Sequence, residues 1–187
     1  MGRPLRPVFA GAAYHITARG NNGENIFTDD YDRYAYLALL ARAIRLMKIR
    51  LFAYSFMTTH VHLVCQTTEA NVSATIRRLH GSYAFSFNRR YGRHGHLFEA
   101  RFGSRLIEDD AHLIEATRYT HLNPVRGGLV DNPEDHVWSS YRCYISPEEQ
   151  TKQTLVDVSA VLQVFGEDPR ARRLAYERFV REGMTRA

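Results

Sequence analysis

The chain has 187 residues, 44% of them hydrophobic and 12% aromatic, which is enough for one buried core and excludes a disordered chain. The formal net charge is +5, and only Lys48 and Lys152 are lysines among the 25 basic residues; because arginine binds phosphate and stacks on bases, this bias favours a nucleic-acid partner. No apolar stretch could span a membrane, the basic N-terminus lacks the apolar core of a signal peptide, and the two cysteines lack disulfide or zinc spacing, so we expect a cytoplasmic protein.

The predicted elements alternate between strands and helices. Alternating apolar and polar residues indicate the strands, and apolar residues at helical spacing indicate the helices. The aspartate pairs Asp29-Asp30 and Asp109-Asp110 offer N-caps to two of the helices, and Asn123-Pro124 is expected to end the last of them. In chain order, the elements are a strand over 13–18, a helix from 29 to about 47, strands over 51–57 and 60–66, a helix over 71–88, a strand over 102–108 and a helix from 109 to about 122.

The order β-α-β-β-α-β-α predicts an α+β fold of the ferredoxin-like (RRM-like) type, with one antiparallel sheet backed by helices. We expect a basic N-terminal arm over residues 1–12, a main domain over 13–145 and a small C-terminal helical extension over 146–187. In the extension, residues 154–165 and a last helix after Asp168-Pro169 are expected to form a helical hairpin. Arg3 and Arg6 of the arm are expected to make auxiliary contacts with nucleic acid.

The most informative segment is His60-Val61-His62 in a predicted strand. Successive side chains of a strand point to opposite faces, so the two histidines lie side by side, a geometry that suits metal ligation. The alternative is that they are polar residues on the solvent-facing side of a half-buried strand. Tyr119 and Asn123 are four residues apart and share one helix face if the helix continues to its final turn. A tyrosine can be a nucleophile and an amide oxygen can ligate a hard cation, although an isolated tyrosine is more often a core or rim aromatic.

Between residues 77 and 106 the chain is strongly basic and rich in aromatic rings, with Glu99 as the only acidic residue. Positive charge combined with exposed rings is typical of proteins that bind single-stranded nucleic acid. About half of the rings are expected in the core, and segment 89–96 is expected to be a flexible loop without acidic partners. The residues expected to contact DNA are Arg19 and Asn21 in the loop after the first strand, and Arg77, Arg78, Arg89, Arg90, Arg93, His94, Arg101 and Arg105.

Together, these motifs resemble the HUH single-tyrosine transposases, most closely the REP-associated tyrosine transposases of bacteria. The resemblance runs from about Tyr14 to Tyr144. The segments that carry it are His60-Val61-His62, Gly95-His96-Leu97-Phe98 followed by Arg101-Phe102, Tyr119 one turn before Asn123, His121-Leu122-Asn123-Pro124-Val125-Arg126, and Trp138-Ser139-Ser140-Tyr141. The chain departs from the family pattern at Thr58-Thr59, at Glu99-Ala100 and at Gly103.

The resemblance implies a metal-dependent DNA strand transferase. It implies that His60 and His62 hold a divalent ion, Mg²⁺ or Mn²⁺, that Asn123 matches the position of a third ligand, and that Tyr119 is the nucleophile. It further implies cleavage of single-stranded DNA at hairpin-associated (REP-like) sequences through a 5′-phosphotyrosine, which leaves a free 3′-hydroxyl. The protein would act as a monomer or a homodimer.

Two alternatives stay open at the level of sequence. A non-catalytic nucleic-acid-binding module of the same architecture would place stacking aromatics on the open sheet face and would bind no ion between the histidines. A domesticated HUH nuclease would cleave DNA without rejoining it. The remaining histidines near the motifs are expected to be structural, with His15 in sheet packing and His121 on a helix face.

Overall fold

Four strands form one antiparallel sheet at the centre of the molecule. A computed structural model describes residues 7–152 and 154–184, so the expected contacts of Arg3 and Arg6 lie outside the described residues. The strands are β1 (Ala13–Arg19), β2 (Ile49–Phe56), β3 (His60–Thr67) and β4 (Gly103–Ile107). They are arranged in the spatial order β2-β3-β1-β4.

Helices make up most of the remaining described chain. They are α1 (Asp30–Met47), α2 (Val72–Tyr91), α3 (Asp110–Arg126), α4 (Tyr141–Ile145), α5 (Pro147–Lys152), α6 (Ser159–Leu162) and α7 (Pro169–Glu182). The predicted α+β class and antiparallel sheet are confirmed, whereas the ferredoxin-like description stays a prediction. Among the described residues, no helix has the length and apolar content needed to cross a bilayer.

The two faces of the sheet carry different side chains. Phe56 contacts Tyr36 of α1, with ring centroids 5.1 Å apart, and it pairs with Val61 of β3, so both belong to the buried apolar face under α1 and α2. On the opposite face, Thr17 of β1 pairs with His62 of β3, and α3 covers this side. The strand alternation therefore puts the polar His-x-His pair between the sheet and α3.

The predicted N-caps of α1 and α3 are confirmed. The Asp29 side chain accepts a hydrogen bond from the Asp32 amide at 3.1 Å, and the Asp109 side chain accepts one from the His112 amide at 2.7 Å. These bonds satisfy donors that the first turn of a helix leaves without a partner. The caps also fix where α3 begins, and so which of its residues face the sheet.

The predicted end of α3 near Leu122 is wrong, because the helix continues through Pro124 to Arg126. A proline removes one amide donor, but the following residues still close the last turn. The Gly127 amide donates to the Asn123 carbonyl at 2.8 Å, and the Leu129 amide donates to the Pro124 carbonyl at 2.9 Å. The extra turn keeps Asn123 in helical register with Tyr119.

The C-terminal extension packs on the main domain, and the predicted helical hairpin forms with a shorter first arm. α6 and the turn after it pack against α7, with the Phe165 and Phe179 ring centroids 5.4 Å apart. Residues 154–158 are not helical, and Val156 bridges to Leu51 at the outer edge of β2. The predicted last helix is confirmed as α7, and the Asp168 side chain caps it at the Ala171 amide. α7 packs against α3 and α4, so the extension supports the helix that carries Tyr119.

The sequence predicts His121 on a helix face. The residue is fully buried between α3, α4 and α7, where it has a structural role. Its Nδ1 lies 2.7 Å from the Tyr176 hydroxyl, and its Nε2 lies 2.8 Å from the Ser140 hydroxyl. Burial lowers the pKa of His121 to about 3, so the ring is neutral. Both ring nitrogens are used, and His121 is not available as a metal ligand.

Candidate active site

β3 presents His60 and His62 side by side, with ring centroids 5.1 Å apart. His60 is half-buried and His62 is buried. Burial lowers the pKa of His62 to about 3 and also lowers the pKa of His60. Both rings are therefore neutral near pH 7, which is the form of imidazole that binds a metal ion.

α3 places the Asn123 side chain against this pair. Its Oδ1 lies 3.1 Å from His60 Nε2, while the Thr59 hydroxyl lies 3.0 Å from His60 Nδ1 and holds the ring from the other side. The three predicted ligands are thus brought together.

The donor set of the site fits a divalent cation. No group of three or more His, Cys, Asp and Glu side chains in residues 7–152 and 154–184 is arranged to hold a metal ion. An ion at this site would therefore need the Asn123 amide oxygen beside the two imidazoles. Such a mixed nitrogen and oxygen set suits Mg²⁺ or Mn²⁺, although Zn²⁺ and Ni²⁺ bind imidazole more tightly.

Tyr119 lies one helical turn before Asn123, and its side chain faces the histidines. Its ring stands edge-on to His62, with centroids 5.5 Å apart, and 42% of its surface is exposed. The guanidinium carbon of Arg126 lies 5.3 Å from the Tyr119 ring centroid. The phenol is therefore accessible, close to His60 and His62 and beside a positive charge.

His15, which the sequence predicts in sheet packing, also contacts the site. His15 Nε2 lies 3.0 Å from His62 Nδ1, and the His15 ring also stands edge-on to Tyr119, with centroids 5.6 Å apart. Burial lowers the pKa of His15 to about 4, so it is neutral near pH 7. The contact occupies Nδ1 of His62 and leaves Nε2 as its free ring nitrogen. Alternation in β1 could have placed His15 on a polar face, but not beside β3.

A cleft of about 450 Å³ adjoins His62 and Tyr119. β1, β4 and α3 line it, and its walls include Arg105 and His112. No carboxylate in the described part of the chain forms an ion pair with Arg105. The cleft therefore brings a free guanidinium group to the side of the candidate nucleophile, where a phosphate could bind.

The expectation that segment 89–96 lacks acidic partners is wrong. Arg90 forms ion pairs with Asp29 at 2.6 Å and with Asp32 at 2.7 Å, and Arg93 pairs with Glu24. The hydrogen bond from Arg90 lowers the pKa of Asp29 to about 2. α2 also continues to Tyr91, so Arg89 and Arg90 are helical and are not part of a flexible loop. Arg90 and Arg93 thus have structural partners, and their contact with DNA stays a prediction.

The other expected DNA contacts do not form one surface. Arg19 ends β1 directly opposite His60, and Arg105 lines the active-site cleft, so these two share the active-site face. The remaining positions are a half-buried Asn21 in the loop after β1, Arg77 and Arg101 beside a cavity on α2, Arg78 in a groove between α1 and α2, and exposed Arg89 and His94. Their contacts with DNA stay predictions.

The predicted resemblance is confirmed by comparisons with known proteins. A family model described as IS200-like transposase matches residues 9–123. A Haemophilus influenzae protein described as a REP-associated tyrosine transposase is 28% identical over 107 residues, which cover 51% of this chain and 61% of that protein. This chain thus spans about three fifths of the length of that relative.

A solved structure shares the fold of this chain. A REP-associated tyrosine transposase bound to a REP hairpin aligns with a TM-score of 0.66 at 17% identity, covering 90% of this chain and 93% of that one. A Deinococcus radiodurans protein described as a transposase aligns with a TM-score of 0.45 at 15% identity, covering 59% of this chain and 89% of that one. The first alignment thus extends over nine tenths of this chain.

Proposed function

The chain belongs to the IS200-like transposase family, and on that premise we propose that it is a metal-dependent transposase that cleaves single-stranded DNA with Tyr119. The observation that carries this proposal is the convergence of two separate segments at one point on the sheet. Tyr119 stands edge-on to His62 at 5.5 Å, and Asn123, one turn further along α3, contacts His60 at 3.1 Å. Such a group contains a nucleophile and a set of neutral metal donors within reach of the same phosphate.

In the proposed reaction, the Tyr119 oxygen attacks the scissile phosphorus in line and loses its proton. A bond forms between the tyrosine oxygen and phosphorus, and the bond from phosphorus to the 3′ oxygen breaks, which releases a 3′-hydroxyl. His60, His62 and Asn123 would hold Mg²⁺ or Mn²⁺, which offsets negative charge on the phosphate when bound. The 5′-phosphotyrosine keeps the phosphodiester energy, so a second 3′-hydroxyl can attack its phosphorus without ATP. A new phosphodiester bond forms, the bond between phosphorus and the Tyr119 oxygen breaks, and the phenol regains a proton to replace the one that the hydroxyl loses.

We propose hairpin-associated DNA as the substrate. The solved REP-associated tyrosine transposase that shares the fold is bound to a REP hairpin, which supports this choice. Arg19 beside His60 and Arg105 in the cleft would hold phosphates next to the cleaved bond. The oligomeric state, monomer or homodimer, and the expected cytoplasmic location stay predictions.

The test is formation of a covalent protein–DNA adduct. Labelled hairpin-forming oligonucleotides are incubated with the protein and Mn²⁺, and the products are separated under denaturing conditions. The expected result is an adduct for the native protein, none for Tyr119→Phe, and similar DNA affinity for both. Tyr34→Phe, at another exposed tyrosine, is the matched control and should give the native yield. Undiminished adduct from Tyr119→Phe would contradict the proposal.

The non-catalytic alternative predicts stacking aromatics on an open sheet face. In this structure that face carries His15, Thr17 and His62, and α3 covers it. This arrangement favours the enzyme over the binding module. A nuclease that cleaves without rejoining would give the same adduct, so a strand-transfer assay with a second oligonucleotide that ends in a 3′-hydroxyl is needed to distinguish the two enzymes.

A further inference from the structure

A second cavity lies beside α2, on the side of the sheet away from the candidate active site. Its volume is about 500 Å³, within the usual range for ligand sites. One wall is a single face of α2, which contributes Arg77, His80, Gly81 and Ala84. The other wall is segment 95–102, which leads into β4. His60, His62, Tyr119 and Asn123 do not line this cavity.

The cavity combines flat aromatic walls with positive charge. The Phe98 ring stacks on the His80 ring, with centroids 4.4 Å apart. Burial lowers the pKa of His80 to about 3, and its Nε2 lies 3.0 Å from the Tyr36 hydroxyl, so this ring is neutral and fixed. Arg77 and Arg101 are exposed, and no carboxylate within the described ranges forms an ion pair with either. Glu99 is the only acidic residue among those that line the cavity.

Segment 95–102 connects this cavity to the active-site end of the sheet. The Glu99 amide donates to the Arg19 carbonyl at 3.0 Å, and Phe98 bridges to Gly20. Arg19 lies opposite His60 in the pairing of β1 with β3. A DNA strand held at His60 would therefore reach the cavity by passing around the end of β1 at Arg19 and Gly20.

We propose that this cavity binds an unpaired nucleobase of the DNA, with Arg77 and Arg101 contacting the adjoining phosphates. The inference rests on the proposed function for the class of ligand. A nucleobase is flat and can lie against the Phe98 ring, and each base stacked on an aromatic side chain contributes appreciably to the affinity of single-stranded DNA. A base inside a duplex is already stacked and cannot enter. The cavity would thus favour a hairpin with a single-stranded tail over the same hairpin with a blunt end.

Gly81 allows the cavity to be filled without disturbing the fold. A Cβ atom at this position would meet no atom within 4 Å, so Gly81→Leu should extend into the cavity. Gly81→Ala is the matched small substitution, and Ser86→Leu places the same leucine on an exposed part of α2 outside the cavity. Replacing a glycine inside a helix with alanine or leucine favours the helix. A loss of binding in Gly81→Leu would therefore not arise from unfolding.

The experiment compares three DNA probes by fluorescence anisotropy at fixed salt concentration. The first is a hairpin with a blunt end. The second is the same hairpin with single-stranded tails of mixed sequence on both its 5′ and 3′ ends. The third is the tailed hairpin with abasic nucleotides in the tails. We expect the bases of the tail to strengthen binding about ten-fold in the native protein, in line with one stacked base. Gly81→Leu should lose this gain, whereas Gly81→Ala and Ser86→Leu should keep it.

The results separate this inference from the proposed function. If the abasic tail binds as tightly as the normal tail, or if Gly81→Leu keeps the full gain, the nucleobase site is wrong even when the Tyr119 adduct forms. If the native protein gains affinity from the tail bases but forms no adduct, the site is supported and the proposed cleavage is contradicted. If the native protein binds none of the probes, both proposals fail.

Discussion

His62 has two ring nitrogens, and its contact with His15 decides which of them is free. Because His15 Nε2 occupies Nδ1 of His62 at 3.0 Å, only Nε2 of His62 is available toward His60 and Asn123. Partners of this kind fix the orientation and tautomer of a metal-binding imidazole, and their loss typically lowers metal affinity 10–100-fold. We therefore assign His15 as a positioning residue for His62.

In the proposed reaction, replacing His15 should change the metal concentration that is required more than it changes the maximal adduct yield. For His15→Ala, we expect the Mn²⁺ concentration that gives half-maximal adduct to rise about 10–100-fold. The amide of His15→Gln can still bond to His62, so this variant should recover most of the native metal response. Titration of adduct yield against Mn²⁺ concentration measures the effect.

His112→Ala is the matched control for His15, because His112 lines the same cleft, whereas the His62 ring is contacted by His15, His60 and Tyr119. It should leave the metal response unchanged. If His15 only packs the sheet, His15→Ala should lower the yield by the same factor at every Mn²⁺ concentration. That outcome would contradict a positioning role.

At this scale the sequence predicted contacts within one element and missed contacts between distant ones. The side-by-side arrangement of His60 and His62 follows from the two-residue period of a strand. By contrast, the ion pair of Arg90 with Asp29 joins positions 61 residues apart. No local pattern contains that information, since it depends on how α1 and α2 pack together.

Among the elements, α3 has the largest influence on the site, because it carries both Tyr119 and Asn123. Its other face is held by the C-terminal helices. Arg118 stacks its guanidinium on Phe179 of α7, 4.1 Å from the ring centroid, and His121 bonds to the Tyr176 hydroxyl at 2.7 Å. The position of Tyr119 is thus coupled to the packing of α7.

Tyr176→Phe should measure the strength of this coupling. The substitution keeps the ring but leaves Nδ1 of the buried His121 without its partner, which should lower the free energy of unfolding by about 1–3 kcal/mol. Urea denaturation followed by circular dichroism gives this value. Tyr34→Phe removes a tyrosine hydroxyl from an exposed residue and should change stability by less than about 0.5 kcal/mol. Equal effects of the two substitutions would show that the His121 contact does not hold α3.

The sequence predicted where α3 begins but not where it ends. Its start depends on a local bond between Asp109 and the His112 amide, which an Asp at the N-cap indicates directly. Its end depends on Pro124 being buried within the fold, where packing outweighs the local preference to stop. The same limit applies to residues 154–158, whose apolar pattern fits a helix but whose backbone pairs with the edge of β2.

For the whole molecule, the salt dependence of DNA affinity should follow the number of arginines without an acidic partner more closely than the net charge of +5. Replacing Arg105, which has none in the described structure, should remove one phosphate contact. The slope of log affinity against log salt concentration for single-stranded DNA should then fall by about 0.7 for Arg105→Ala. Fluorescence anisotropy at several NaCl concentrations measures this slope.

The matched control for Arg105 is Arg50→Ala. The Arg50 guanidinium already pairs with Asp157 at 2.7 Å, and it lies on β2, at the other edge of the sheet from Arg105. Its replacement should leave the salt slope unchanged. If both variants alter the slope equally, the interaction with DNA reflects overall charge, and the cleft contributes no specific phosphate contact.

Acid should destabilise the whole molecule through its buried neutral histidines. Burial lowers the pKa of both His80 and His121 from 6.5 to about 3. Between these values the unfolded chain binds a proton at each histidine and the folded chain does not, so the free energy of unfolding falls as the pH falls below 6.5. The loss is about 1.4 kcal/mol per pH unit for each residue.

A variant without one of these histidines should lose less stability on acidification than the native protein does. Its stability deficit relative to the native protein should therefore be smaller in acid than at neutral pH. His121→Asn should be less stable than the native protein at pH 7, because it loses the bonds to Tyr176 and Ser140. At about pH 5 this deficit should shrink by about 2 kcal/mol, since the variant no longer has the protonation cost of His121. His94→Asn, at an exposed histidine, should show no such change. A deficit in His121→Asn that is equal at both pH values in urea denaturation would mean that His121 is protonated in the folded protein, in conflict with its burial between α3 and α7.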